Sequence, residues 1–446
     1  MKIQLSDHFT YRRLLRFALP SIIMMIFTSI YGIVDGLFVS NFVGTVPFAA
    51  INLIMPILMI IGALGFMMGA GGTAIVSKTL GEGKKRLANE YFSIIVYFTA
   101  AAGFILAILG TAFIRPLSIL LGADGELLEC CVSYGRIVIL AMPAFMLQHL
   151  FQSFFVVAEK PKRGLFVTVL AGITNMALDA LFVAVLDMGL EGAALATSIS
   201  QIIGGLLPVF FFSSKKSGII RLSRTKFYGA ALLRAATNGS SELMSNISAS
   251  VVTIIYNYQL IRFAGENGIA AYGVIMYLSF TFVAMFIGYS VSTAPIIGFH
   301  YGAANKRELG NLLRKSTVIT LTLGAMMTVV SFAFSRELAS VFVSYDESLM
   351  DMTTRGLKIF SLSFVFSGFS IFGSSFFTAL NNGPISAFIS FMRTLVYQAA
   401  GVIILPIIFG MDGIWYSMLF AEILAILTTI LCIFTFKNRY GYLNKE

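Results

Sequence analysis

Four carboxylates stand in stretches that are otherwise apolar: Asp35, Asp179, Glu242 and Glu422. An ionisable group at bilayer depth is costly to place and is a functional-site hypothesis by default. Asp35 and Asp179 form the informative pair. Each lies shortly before the outer end of its apolar segment, roughly 8 Å and 12 Å at 1.5 Å per residue, so the two share a depth. Asn175 precedes Asp179 by one helical turn and lies on the same face. Two acids at one depth repel when both are charged, and burial penalises the charge on each. That suits a carrier of protons or Na⁺, neutral when loaded and charged when empty. Tyr134 and Thr197 are further polar candidates in the same half.

A second polar group comprises Gln148, His149 and Gln152. Gln148 and Gln152 share a helical face with His149 beside them. His149 suits a proton relay and equally a neutral histidine hydrogen-bonded between helices. Glu242 belongs to the run Asn238–Asn246, which lipid cannot satisfy and which must face water or protein. Glu242 and Asn246 are therefore expected on a cavity wall, together with Gln148, Gln152 and the aromatic Tyr256, where cation–π contact could hold a flat organic cation. Glu422 is isolated and reads as structural or snorkelling. Pro20 shares a segment with Asp35 and is a candidate hinge. His8 and His300 fall in connecting segments and read as incidental.

These residues need apolar elements to position them. The chain has 446 residues, 58% hydrophobic and 12% charged, with mean hydropathy +0.88. A soluble chain carries about 25% charge. The composition predicts an all-α integral membrane protein and excludes a disulfide scaffold, a coiled coil and a disordered chain. Cys130, Cys131 and Cys432 are too few and badly spaced for a disulfide framework or a zinc site. A spanning helix needs about 20 apolar residues. Twelve segments qualify: 14–40, 49–77, 91–114, 132–158, 165–187, 192–212, 229–262, 271–298, 316–334, 357–380, 386–408 and 414–436. The first lacks a cleavage site and is expected to stay. Alternating sides put 25 Lys and Arg with the termini and 6 opposite. This predicts cytoplasmic termini in the cell membrane and explains the net charge of +10 without nucleic acid.

Three segments recur at an offset of about 221: Gly44–Ala50 with Gly265–Ala271, Gly81–Leu87 with Gly302–Leu309, and Gly189–Gly192 with Gly410–Gly413. The expected organisation is two six-helix lobes of the same orientation, 1–220 and 221–446, as in transporters whose repeats rock about a central site. Asp35, Asp179 and Glu242 are not duplicated by that offset, so the lobes are expected to do different work. No Walker A, H-E-x-x-H or G-x-S-x-G match is present, which argues against an enzyme, and no cofactor is expected beyond a coupling ion.

The sequence resembles the multidrug and toxic compound extrusion (MATE) transporters, in the bacterial MepA-like branch. The carrying residues are Leu19-Pro20 with Val34-Asp35-Gly36, the segment Ala74 to Gly81, Asn175-x3-Asp179 followed by Gly189-x-Glu-Gly192, and Glu242. The resemblance spans the chain. It implies a V-shaped pair of six-helix lobes, a monomer in the bilayer, and multidrug efflux of organic cations in exchange for H⁺ or Na⁺ by alternating access. The family's N-lobe cation site carries over onto Asp35, Asn175 and Asp179, with Tyr134 and Thr197 as neighbours. Some members pair the helix-7 glutamate with a helix-10 aspartate. Glu242 is present here, but 357–380 holds no acid, which favours the N-lobe. The alternative reading is a lipid-linked oligosaccharide flippase of the same superfamily, which would want a strongly cationic central cavity; away from the span ends, Arg393 is the basic candidate.

Overall fold

The computed structural model describes residues 3–214, 217–344 and 346–443, and it is helical throughout, with no strand among them. Lys2, Lys215, Lys216 and Lys445 of the charge tally lie outside the described residues. In lipid every backbone N–H and C=O must be satisfied within its own segment, which leaves the helix as the spanning unit for this composition. The first half comprises α1 (Tyr11–Phe42), α2 (Thr45–Gly81), α3 (Lys85–Leu120), α4 (Gly125–Leu140), α5 (Met142–Val157), α6 (Pro161–Asp179) and α7 (Gly189–Ser213). The second comprises α8 (Gly229–Gly302), α9 (Lys306–Ala333), α10 (Ser335–Val343), α11 (Glu347–Ser361), α12 (Phe364–Ala379), α13 (Gly383–Phe391), α14 (Tyr397–Phe409) and α15 (Met411–Tyr440). Helix α8 is two arms, 229–264 and 266–302, joined at Gly265, whose φ of 60° and ψ of −145° only glycine adopts readily.

Nine helices among the described residues are long and apolar enough to span a bilayer, and two bent pairs raise this to 11. The expected span at 229–262 is the first arm of α8, which is helical but more polar, with the run from Asn238 inside it, and is not among these 11. The span expected at 132–158 is the pair α4–α5, bent by 54°. Pro143 sits in the first turn of α5 and cannot continue the α4 ladder. The span expected at 357–380 is the pair α11–α12, bent by 50°. Here the Ser361 and Ser363 hydroxyls bond back to Lys358 O and Phe360 O, and such bonds compete with the helix.

The repeat is written in the backbone. Eight of the thirteen positive-φ positions among the described residues form four pairs: Gly44 and Gly265, Gly83 and Ala304, Glu159 and Asn381, Gly189 and Gly410. Their offsets are 221, 221, 222 and 221 residues, and the two bends above stand in the same relation. Both termini lie on one face of the molecule, since Leu5 and Phe9 share a core cluster with Tyr440 and Tyr442. We call this the terminal face and the opposite one the distal face.

The halves meet most closely toward the terminal face. A methyl on Gly81 would collide with the Phe299 carbonyl, and one on Gly302 with the Lys78 carbonyl. These contacts exchange under the 221-residue offset. Gly71 and Gly239 likewise lie against Ala235 and Met67, and Gly288 against Ser21 and Ile22. Small residues let helix backbones approach where lipid gives no hydrophobic drive. A methyl added at Gly32, Gly36 or Gly273, by contrast, would meet nothing within 4 Å.

Two extended segments cross the terminal face. Residues 3–9 precede α1 but dock on the second half. Glu308, in the first turn of α9, accepts from Phe9 N at 2.9 Å and lies 2.6 Å from His8 Nδ1, while Asn311 and Lys315 donate to Phe9 O at 3.0 and 2.6 Å. Leu5 N donates to Glu159 Oε1 of the first half at 2.9 Å. Residues 221–228 precede α8 but dock on α3: Arg221 N donates to Asn89 Oδ1 at 2.8 Å, Ser223 N to Ser93 Oγ at 2.9 Å, and the Tyr228 hydroxyl to Glu90. Each half is thus strapped to the other. His8 and His300 are not incidental: His8 pairs with Glu308, and His300 is buried beneath the N-terminal strap, beside the Leu5 and Asp7 backbone.

Candidate functional site

Asp35 of α1 and Asp179, the last residue of α6, face one another with the Asn175 amide alongside. Tyr134 of α4 abuts both acids, and its hydroxyl points to Thr197 of α7. The five residues are thus brought together by four helices of the first half. Contact between α1 and α6 is close because Gly172 receives the Phe27 and Tyr31 rings. Tyr31 borders Asp35 and is not among the expected residues, although its place one turn before the acid is readable in the sequence.

The α6 helix changes form at the acid. A π-helical turn, Ala180–Val185, begins directly after Asp179. An extra residue per turn rotates the succeeding residues by about 100° relative to an α-helix, and π-turns recur at functional sites. Asp179 is 0% exposed, and Asn175 and Tyr134 are buried. Both Asp179 oxygens, both polar atoms of the Asn175 side chain, the Thr197 hydroxyl and one oxygen of Asp35 have no hydrogen-bond partner of good geometry among the described residues. Buried polar groups are otherwise paired almost without exception. Carboxyl, amide, phenol and hydroxyl groups together form a hard oxygen-rich set, able to take a proton or to coordinate a small alkali cation.

The other expected residues lie elsewhere. His149 packs between Phe66, tilted, and Phe145, edge-on, at ring-centroid distances of 3.9 and 4.5 Å, with Nδ1 3.2 Å from Gln152 Oε1. Gln152 donates to Thr168 at 3.4 Å and Gln148 packs on Gly204. Both glutamines are buried inside the first half, not on a cavity wall. Tyr256 is 1% exposed and stacks on Tyr272 within the second-half core, so it too is removed from the wall. An apolar surround turns these amphipathic side chains inward, which spacing along one helix cannot reveal. Glu242 and Asn246 remain partly exposed on the first arm of α8, with Asn246 Nδ2 donating to Glu242 O at 2.8 Å. Pro20 lies inside unbroken α1, adjoining the Ser21–Gly288 contact between the halves.

Glu422 does not snorkel. It is 0% exposed and held by Arg393 through Nε at 2.9 and 3.1 Å and a terminal nitrogen at 2.7 Å. Arg393 sits in a second π-turn, Met392–Val396. The basic candidate for a central cavity is therefore neutralised. The sequence carries no signal for this pairing, since the partners are 29 residues apart on different helices.

A duplicated helical bundle of spanning helices, with an unpaired buried acid pair in one half, defines a multi-pass membrane transport protein. The family model described as MatE matches twice, over residues 20–181 and 243–403, and the chain belongs to that family of transporters. It is not an enzyme. Among curated relatives, the "Multidrug export protein MepA" of Staphylococcus saprophyticus is 24% identical over 437 residues, covering 96% of this chain and 94% of the relative. The protein of the same name in Staphylococcus haemolyticus is 25% identical, with the same coverage. Among solved structures, the outward-facing conformation of a multidrug resistance MATE family transporter superposes with a TM-score of 0.93 at 22% identity, covering 99% of this chain and 98% of that one. A Pyrococcus furiosus transporter, described as having a binding pocket of reverse polarity that suggests a different function, superposes at 0.90 and 22%, with 98% coverage of both chains. One fold thus serves pockets of opposite polarity, and the site's own charges must decide function.

Proposed function

We propose that this chain is an antiporter that exports organic, mainly cationic compounds across the cell membrane in exchange for H⁺ or Na⁺. The observation that carries the reading is the buried, unpartnered carboxylate of Asp179 facing Asp35. Two adjoining acids in a low-dielectric interior are stable only when a cation neutralises them, so their occupancy is linked to access from outside. The relatives, which are named multidrug export proteins, support export as the task. The terminal face is the cytoplasmic one in this reading, and the lobes, 1–220 and 221–446, rock about the contacts near Gly81 and Gly302. Cation uptake at Asp35 and Asp179 favours the state that releases substrate outward, with α1 bending near Pro20. Glu242 and Asn246 offer the substrate a polar wall. The protein needs no cofactor beyond the coupling ion, and one chain suffices.

The drive is adequate. One proton crossing 100 mV yields roughly 2.3 kcal/mol, and one pH unit adds about 1.36 kcal/mol. Together these sustain roughly a 500-fold gradient of a neutral solute. A flippase for an anionic, lipid-linked substrate would need free cationic groups in the cavity, and Arg393 is already bound to Glu422. The test is efflux of a fluorescent organic cation from proteoliposomes under a proton gradient and a Na⁺ gradient imposed separately. Efflux driven by one of them names the ion; efflux that tracks neither gradient overturns the antiport.

A further inference from the structure

The two straps differ in chemistry where the repeat makes them equivalent. At the start of α9, the Asn305 side chain caps Glu308 N at 3.0 Å, and the Glu308 carboxylate receives the N-terminal strap. Subtracting the 221-residue offset gives Lys84 and Leu87 at the start of α3. That turn has no side-chain cap and no acid. Leu87 thus stands where Glu308 stands, and the second strap is held instead by Glu90, three residues further on.

A cleft of about 630 Å³ opens at that position, lined by Lys84, Lys85, Arg86, Glu90, Lys226 and Tyr228. Lys84 pairs with Glu82 at 2.9 Å and Arg86 with Glu90 at 3.2 Å, while the Tyr228 hydroxyl also bonds Glu90. Lys85 and Lys226 form no ion pair among the described residues and leave the cleft positively charged. A second cleft of about 400 Å³ shares Tyr228 and is lined by Ile75, Tyr91, Phe227, Ala231 and Arg234. Phe227 is 79% exposed there. A basic cleft that borders an aromatic and aliphatic one at Tyr228 matches a molecule with a phosphate at one end and hydrocarbon at the other.

We propose that these adjoining clefts bind an anionic phospholipid of the leaflet at the terminal face, its phosphate among Lys85, Lys226 and Arg86 and its chain along Phe227. Basic pockets at helix ends bind such headgroups. The site lies across the joint between the halves: Lys84 to Arg86 belong to the start of α3, whereas Lys226 and Arg234 lead into and begin α8. Glu90 offsets part of this charge, and the cations left over, Lys85 and Lys226, repel across the joint. A bound phosphate turns repulsion into attraction and holds the terminal face closed, as Glu308 does opposite. The proposal rests on the terminal face lying at a bilayer surface, as in the antiport reading, but not on which ion is exchanged or whether transport is coupled.

The test is retention of phosphatidylglycerol by the purified full-length protein, titrated in detergent and read by native mass spectrometry. Four proteins are compared: wild type, Lys85→Gln with Lys226→Gln, the control Arg314→Gln with Lys437→Gln, and Asp35→Asn. The control removes equal charge from sites elsewhere on the terminal face. The expected result is retention by wild type, control and Asp35→Asn alike, and roughly 10- to 30-fold weaker retention by the Lys85/Lys226 variant, with phosphatidylcholine retained by none. Equal loss in the control would overturn the site in favour of general surface charge. Undiminished retention in the Lys85/Lys226 variant would also overturn it. Displacement of the lipid by equimolar inorganic phosphate would show a free-anion site and overturn the lipid assignment. The Asp35→Asn arm separates this outcome from failure of the transport reading, because that variant is expected to lose efflux and keep the lipid.

Discussion

Asp35 and Asp179 meet across the α1–α6 contact, and neither oxygen of Asp179 has a hydrogen-bond partner of good geometry among the described residues. The pair differs in kind from Arg393 and Glu422 in the other half, where a buried acid is fully engaged by a guanidinium. One half holds charge it cannot satisfy and the other holds charge already satisfied. That contrast separates a site that exchanges a cation from one that fastens helices together.

The unsatisfied acid predicts an unusual stability effect. Asp179→Asn removes a buried charge without breaking a good hydrogen bond, so the variant should be as stable as wild type or more so by about 1 kcal/mol. Thermal unfolding in detergent checks this. A fall of several degrees in midpoint would mean that Asp179 is a structural acid.

The opposite is expected of the second pair. Glu422→Gln leaves Arg393 buried without its counter-charge and should cost about 3–5 kcal/mol, whereas replacing both residues with apolar ones of similar size should be close to neutral. The same unfolding measurement decides it, and a mild single variant with a damaging double one would contradict the account.

Closure at the terminal face depends on backbone contacts that a side chain would block. Gly71→Val and Gly302→Val should push the halves apart there, because each added side chain meets a carbonyl of the other half. Spin labels on α3 and α9 near the terminal face should report a longer distance in both variants. An unchanged distance would show that the helices accommodate the bulk by sliding.

The N-terminal strap should contribute to the same closure. Glu308→Gln weakens its charge-assisted hold on His8 and Phe9, a loss of about 1–3 kcal/mol. In a background lacking Cys130, Cys131 and Cys432, a cysteine at Ser77, which is buried against Gly298 of the other half, should then react faster with a thiol reagent added at the terminal face. Equal rates in the two proteins would remove the strap from the closing mechanism.

Much of this fold and site is legible in the sequence, for identifiable reasons. Asp35, Asn175 and Asp179 stand out because charge in an apolar stretch has no bland explanation, and the structure brings them together. The bend near Pro143 comes from a missing N–H. The bend at Leu362 rests on serine back-bonding, which spacing does not announce. Gln148, Gln152 and Tyr256, expected on a wall, are buried, because membrane helices are apolar on every side and hydrophobic period does not tell interior from cavity. The Arg393–Glu422 bond and the two straps depend on which helices become neighbours, and that information lies in the fold.

The central claim is that Asp35 and Asp179 carry the coupling cation. The direct measurement is efflux of a fluorescent organic cation from proteoliposomes under the driving gradient, comparing wild type, Asp35→Asn and Asp179→Asn at matched protein content. The account predicts that both variants reconstitute normally and lose gradient-driven efflux. Wild-type efflux from either variant would contradict it.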